Sequence, residues 1–398
     1  MRILFHDYAG HAFPLQLSRS LAARGHQVRH LYCGSTLTPQ GELERRPDDP
    51  ESWDIRVIDL GEEIPKTKFL KRYGMERRYA GLLAEQYGAW RPEVVISGQT
   101  PSIAQLPLAK LCRRDNVRLV SWIQDIYGIA AQKMLRKRLP VVGQLAAAHF
   151  IRIDKRCARM SDALVVISED FRDIFLRWGI PDDRIHTIHN WAIIEQLPVG
   201  QRDNSWSREK ALADGMRFVY SGTLAMKHNP ELLLQLAKRL GNEEAGEMVV
   251  ISTGPGVEWL RQQQAKHPDA AMKLMGFQPF SELENVLASA DVLVAILEPD
   301  AGVFSVPSKV LSYLCAQRPL LMALPAENLA AKIVRESNAG LLVAPDDIAG
   351  FCEAGMRLAH SPDERAAMGA AGRAYAEANF DIAKITDRFE AILSGQCG

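Results

Sequence analysis

The 398-residue chain carries six cysteines and no C-x-x-C pair among them, which argues against zinc knuckles, redox dithiols and a secreted disulfide framework. Cys33, Cys112, Cys157, Cys315, Cys352 and Cys397 read as reduced thiols of a cytosolic protein. No stretch of 18 uncharged apolar residues occurs, and the opening MRILFHDY enters a strand without a signal-peptide pattern. Neither a membrane span nor a cleaved export signal is therefore expected. Net charge is also missing: 48 Lys and Arg cancel 48 Asp and Glu, so the electrostatic footprint of a nucleic-acid binder is absent. So is G-x-G-x-x-G. The first glycine loop reads Asp7-Tyr8-Ala9-Gly10-His11-Ala12-Phe13, and nicotinamide chemistry loses its main support.

What is present is an alternation of short apolar runs with helical stretches, over a length that suits two ordinary domains. Ile3-Leu4-Phe5, Val28 to Tyr32, Val94 to Ser97, Leu119 to Ile123 and Ala163 to Ile167 read as buried parallel strands, each feeding a polar or glycine-containing loop. After Ile185 to Asn190 the pattern lapses into the polar stretch Gly200 to Asp214, which reads as a linker. A second series follows at Phe218 to Tyr220, Met248 to Ser252, Met272 to Met275, Asp291 to Ile296, Leu320 to Ala323 and Gly340 to Val343. The expected class is α/β, with a Rossmann-like domain over residues 1–195 and another over 196–375. A final helix at about 376–398 lies beyond the last strand and is open to either domain, packing back on the first being one of the two courses. Two open sheets facing each other across a cleft, each holding a ligand beyond its strand ends, suit a two-substrate transfer reaction.

Six stretches carry chemistry. In AGVFSVPSKVLSYLCAQRP (Ala301 to Pro319), Ser305 or Ser308 can cap a helix whose free N–H groups and positive dipole end face a phosphate, with Lys309 aimed at the same anion. In Tyr220-Ser221-Gly222-Thr223-Leu224 a strand stops at glycine, and Lys227 follows; two lysines at one sheet rim suit a diphosphate. The Gly254 loop and the Gly276-Phe277-Gln278 turn each follow a strand and offer main-chain contacts to a ribose and a base. In the first domain, Gly10 lies in a loop suited to approach a phosphate, and Asp125 ends the strand SWIQD, where a carboxylate can orient or deprotonate a hydroxyl acceptor. Taken singly, each stretch also reads as a helix cap, a surface lysine or a turn glycine. Their combination favours the ligand reading.

In order along the chain, LAARGHQV (Leu21 to Val28), SWIQDIYG (Ser121 to Gly128), IHNW (Ile188 to Trp191), YSGTLAMK (Tyr220 to Lys227), Gly276-Phe277 and VPSKVLSYLCAQRP (Val306 to Pro319) resemble the retaining GT-B glycosyltransferases of family four. The similarity spans essentially the whole chain and is strongest to the bacterial surface-polysaccharide branch of colanic acid fucosyltransferase-like enzymes. The resemblance implies transfer of a hexose or deoxyhexose from a nucleoside-diphosphate sugar to a lipid-linked saccharide, with no cofactor and no metal for the chemical step. It implies catalytic roles for Asp125 and Lys227. Donor contacts would come from Gly10, Gly222, Thr223, Lys227, Gly254, Gly276, Phe277, Gln278 and the helix start Ser305, Val306, Pro307, Ser308 and Lys309. Ser312 stands where the second glutamate of the family's E-x7-E pattern grips ribose, and Phe304 stands near the first. The arginine usual before the lysine is replaced by Thr223 or Leu224. Glu298 standing in for the missing acids, a silent scaffold partner, and a non-hydrolysing nucleotide-sugar epimerase remain as alternatives.

Residues 61–160 hold 19 Lys and Arg against 8 Asp and Glu. The surplus gathers in KTKFLKRYGMERR (Lys66 to Arg78) and KMLRKR (Lys133 to Arg138), interleaved with apolar residues and followed by Arg152, Lys155 and Arg156. That mixture suits anionic lipid headgroups, so the expected location is cytoplasmic and peripheral on the inner face of the plasma membrane.

Overall fold

Thirteen short strands, four of them buried along their whole length, assemble into two parallel sheets in the computed structural model, which describes residues 1–36, 40–65, 68–138, 142–299, 302 and 308–396. The chain divides into one unit of Met1–Asn190 with Ile382–Gly398 and another of Trp191–Asp381. The first contains β1 (Arg2–Asp7), β2 (Gln27–Cys33), β3 (Trp53–Ile58), β4 (Val94–Gly98), β5 (Arg118–Ile123), β6 (Ala163–Val166) and β7 (Ile185–Thr187). They lie in the order β3-β2-β1-β4-β5-β6-β7. The second contains β8 (Arg217–Ser221), β9 (Glu247–Ile251), β10 (Met272–Met275), β11 (Val292–Ile296), β12 (Leu320–Ala323) and β13 (Gly340–Val343), in the order β10-β9-β8-β11-β12-β13. All described pairings are parallel. Continuous apolar strands such as VLVAI in β11, buried along their whole length, are what a sheet covered by helices on both faces requires.

Two features depart from the sequence expectation. Strand β3 (WDIRVI) is an edge strand with two exposed residues among its six, and its charged outer positions hide the apolar run that marks the central strands. The polar stretch 200–214 is part of the second unit and not a linker. It contains the helix Ser205–Glu209 with Trp206 buried, and Arg202 pairs with Asp291 at 3.0 Å. One aromatic anchor and an arginine pair suffice to dock a segment whose average composition is that of a linker.

The C-terminal helix Ile382–Ser394 is covalently attached to the second unit and packed in the first. Phe389, fully buried, meets Trp122 edge to face with ring centroids 5.0 Å apart. Arg24 donates to Asp387 at 2.5 Å and Glu390 at 2.6 Å, and Thr386 Oγ1 donates to Ser20 at 2.8 Å. The aromatic contact dominates, because the Arg24 pairs are solvent-exposed and screened. Replacing Phe389 by Ala is expected to cost about 3–5 kcal/mol in the first unit, the usual penalty for emptying an aromatic core site. Denaturant unfolding followed by hydrogen exchange on β1 and β5 checks this, and unchanged exchange there would refute the docking role.

Candidate functional site

Strand order reverses beside β8, whose neighbours are β9 and β11. Such a reversal opens a crevice beyond the strand ends, where open α/β sheets bind ligands. Two chain segments leave the sheet there: Gly222-Thr223-Leu224 after β8, and Leu297-Glu298 after β11. Side chains and main chain brace the first segment. Tyr313 Oη accepts from the Ser221 N–H and donates to its carbonyl, both at 3.0 Å. Tyr220 Oη donates to the Thr223 carbonyl at 2.8 Å, and the Gly222 N–H donates to Ile251 O at 3.0 Å.

Lys309, the second residue of the helix Ser308–Cys315, reaches back across this turn. Its ammonium nitrogen lies 4.0 Å from the centroid of the Tyr220 ring. Gly222 has φ of 132°, and a Cβ there would fall 2.6 Å from that nitrogen. Glycine is therefore needed twice, for the backbone angle and for the lysine head. Although the Lys309 side chain as a whole is half-buried, its head is packed against protein, and this desolvation pushes the ammonium down to about 7. Among the described residues no carboxylate lies within ion-pair distance of it. A cation kept out of water with only a ring face for company is a ready partner for an anion.

Lys227 and His228 lie in the short turn Met226–His228 beyond β8. The Lys227 ammonium pairs with Glu298 Oε1, and His228 Nε2 lies 3.3 Å from Oε2. Burial lowers the pKa of His228, the nearby lysines push it the same way, and Glu298 opposes them. Lys227 and Lys309 thus belong to one rim of one sheet. Sequence reasoning had passed over His228; its place one residue after a lysine is the only signal it leaves.

The other expected donor residues are distributed as follows. Gly254, φ 114°, starts the helix Pro255–Gln264, and the Leu224 N–H donates to the neighbouring Thr253 carbonyl at 3.2 Å. The Gly254 loop therefore adjoins the Gly222 turn. Gln278 is occupied within the protein: its Oε1 accepts from Trp206 Nε1 at 3.1 Å and its Nε2 donates to Gly276 O at 2.9 Å. Phe277 is 53% exposed, and Gly276 beside it is exposed too. Ser312 is partly buried on the same helix as Lys309, and Ser308 is exposed at its start. Ser305, Val306 and Pro307 lie outside the described residues.

Gly10 and Asp125 belong to the first unit. Gly10 is buried at φ 71°, with Leu43 and Gln40 over its α-carbon. Its N–H donates to the Asp7 carbonyl at 3.3 Å, and the Asp7 carboxylate accepts from the His11 N–H at 2.7 Å. The amides expected to meet a phosphate are thus already used. Burial holds the Asp7 carboxyl up at about 6 against the opposing pull of His11 and these N–H groups. Asp125 follows β5 and is exposed to solvent, yet crowding by the surrounding protein raises its carboxyl to about 6. Its loop is tied down on both sides: Tyr127 Oη donates to Gln99 O at 2.7 Å, and the Gly128 N–H donates to the buried Asp154 at 2.7 Å.

Residues 10–191 match the family model described as glycosyl transferase 4-like domain, and residues 215–361 match glycosyl transferases group 1. Among curated proteins, the chain is 23% identical over 263 residues to a probable glycosyltransferase WbjE of Pseudomonas aeruginosa, covering 65% of this chain and 64% of the relative. It is 25% identical over 170 residues to a GDP-mannose-dependent monoacylated alpha-(1-6)-phosphatidylinositol monomannoside mannosyltransferase of Corynebacterium glutamicum, covering 43% and 44%. The chain thus spans less than two thirds of the length of either relative. Among solved structures, Anabaena Alr3699/HepE in complex with UDP superposes with a TM-score of 0.72 at 14% identity, covering 99% of this chain and 100% of that one. A sucrose-phosphate synthase from Thermosynechococcus elongatus gives 0.71 at 14%, covering 99% of this chain and 98% of that one. These superpositions establish the fold as GT-B, two Rossmann-like α/β domains.

The Lys309 environment predicts a pH dependence. The ammonium is present below about 7 and lost above it, so affinity for an anionic ligand at this rim falls as pH rises, by up to about tenfold per unit for one linked proton. UDP-glucose and GDP-mannose are suitable probes, because their diphosphates do not titrate near neutrality. Lys309→Met should flatten the profile; an equally steep profile in the variant would exclude Lys309 as its origin.

Proposed function

Because the two halves of this GT-B chain match two glycosyltransferase domain families, we propose that it transfers a sugar from a nucleoside-diphosphate donor to a hydroxyl of a lipid-linked saccharide. The observation that carries the reading is the convergence of Lys309, Lys227 and the Gly222 turn at the strand-order reversal of the second sheet. In this reading the two lysines and the start of the helix Ser308–Cys315 stabilise the departing diphosphate in place of a metal. Asp125, on the first unit, orients the acceptor hydroxyl. The anomeric configuration is retained, and the product belongs to bacterial surface-polysaccharide synthesis of the fucosyltransferase-like branch. Both bases remain open as donors, since one relative is named for GDP-mannose and one structural neighbour was solved with UDP.

A panel of nucleoside diphosphates and their sugars tests donor binding. A true donor at a hundredfold excess over its Kd stabilises the native state by about 2.7 kcal/mol, a rise of roughly 5–10 °C for a unit of this size. Transfer to a polyprenyl-diphosphate-linked saccharide then tests the reaction. Isomerisation of the nucleotide sugar without acceptor would replace this reading with an epimerase. Binding without turnover on any lipid acceptor would leave a silent partner, the alternative raised by the absent E-x7-E glutamates. Asp125→Asn should lower turnover by about 10²–10⁴-fold and leave donor affinity intact; a variant of undiminished turnover removes Asp125 from the chemistry.

The reading extends to an anionic membrane surface. Helices Phe69–Trp90, Ser102–Arg114 and Val142–Met160 frame a shallow groove with Ile103, Leu106 and Ile153 in its floor and Arg77, Lys110, Arg114, Arg152 and Arg156 along it. Leu70 and Leu145, 85% and 71% exposed, project from two of these helices. Of the basic runs expected to contribute, Lys66, Thr67 and Leu139 lie outside the described residues. No helix among the described residues is long and apolar enough to cross a membrane. Docking on headgroups draws on about 1 kcal/mol per basic residue near the surface. Flotation with phosphatidylserine-containing vesicles at low salt should therefore retain the protein, and the variant Lys110→Glu/Arg152→Glu/Arg156→Glu should not be retained. Absence of wild-type binding at low salt would refute this part of the reading.

A further inference from the structure

Glu298 is a buried carboxylate, its side chain 10% exposed, lying just beyond β11 where the donor diphosphate is expected. A carboxylate taken from water needs partners for both oxygens. Oε1 has one in the Lys227 ammonium, whereas Oε2 lies 3.3 Å from His228 Nε2 and accepts no hydrogen bond among the described residues. His228 Nδ1 accepts the Ala225 N–H at 3.2 Å. The one bond Glu298 makes is therefore the one to Lys227. The Lys227 side chain is 63% exposed, and a four-carbon stem so placed samples many rotamers unless its head is tethered. An ammonium has three N–H donors. One spent on Glu298 leaves two for phosphate oxygens.

We infer that Glu298 is a positioning residue that holds the Lys227 ammonium where it meets the donor diphosphate, an inference that rests on the reading of Lys227 as a donor contact. Glu298 Oε1 is then committed to Lys227 and is not available to grip ribose. The arrangement has an unusual signature. By Coulomb's law alone, removing a negative charge beside a diphosphate tightens its binding. Removing the tether loosens it, because the lysine must be ordered on binding.

Nucleoside-diphosphate affinity, measured by calorimetry with GDP or UDP, therefore tests the inference by its sign. Glu298→Gln is expected to weaken binding about tenfold, against the electrostatic trend. In a Lys227→Ala background the same change is expected to tighten binding, since only repulsion remains; this reversal is the coupling expected of groups in contact. Should Glu298→Gln fail to fold, Glu298→Asp, which keeps the charge but withdraws it by one methylene, is expected to show the same weakening. Equal or tighter binding by Glu298→Gln in the otherwise native protein overturns the inference and leaves the donor site standing. Unchanged affinity in Lys227→Ala alone removes the donor-site reading, and the tether with it.

Discussion

The second unit is organised around a lysine ammonium held against a tyrosine ring and a bare α-carbon. Lys309 reaches this position only because residue 222 has no side chain: a Cβ would sit 2.6 Å from its nitrogen. The ring beneath it, Tyr220, is fixed by its own hydroxyl bond to Thr223, and Tyr313 grips the turn from the other side. Burying a charge in this way costs free energy, visible in the fall of the Lys309 pKa to about 7. The surrounding hydrogen bonds do not relieve that cost, and a bound phosphate would. A site that is electrostatically incomplete and structurally rigid is preorganised for an anion.

Around that core the charges are graded. Lys309 is packed into the protein, Lys227 is exposed and tethered, and Glu298 lies between Lys227 and His228. One carboxylate with three basic groups leaves the rim short of negative charge, which suits a diphosphate better than a neutral ligand. The crevice itself comes from topology. Strands β9 and β11 leave β8 on opposite sides, so the connections diverge and main-chain amides and side chains line the gap. The first sheet has the same reversal beside β1, between β2 and β4, but there Asp7 turns inward and consumes the loop amides. Equivalent topology thus yields a rim bearing two lysines in one unit and a loop whose amides are bonded to Asp7 in the other.

Much of this was readable before any coordinates. Central strands such as Val292–Ile296 are continuous apolar runs, and burial on both faces demands that composition. Lys227 and Lys309 follow strand ends and glycines, so their placement on one rim could be argued from spacing. Strand β3 was hidden because an edge strand tolerates the charges of WDIRVI, and the 200–214 segment misled because a buried tryptophan, Trp206, and the Arg202–Asp291 pair dock a stretch of polar composition. Gln278 shows a subtler loss: its turn was recognised, yet its amide is committed to Trp206, 72 positions away.

What the sequence determined by itself was therefore the α/β alternation, the two-domain order and the lysines and glycines available to a phosphate, because periodicity and loop chemistry are local properties. Only the tertiary structure decided which of those groups are free to act. Whether Gly10 is open or covered, whether Glu298 is paired with a lysine, and which unit receives helix Ile382–Ser394 all depend on partners distant in the chain. Hydrogen-bond and ion-pair satisfaction is a property of the packed neighbourhood, and no local pattern encodes it.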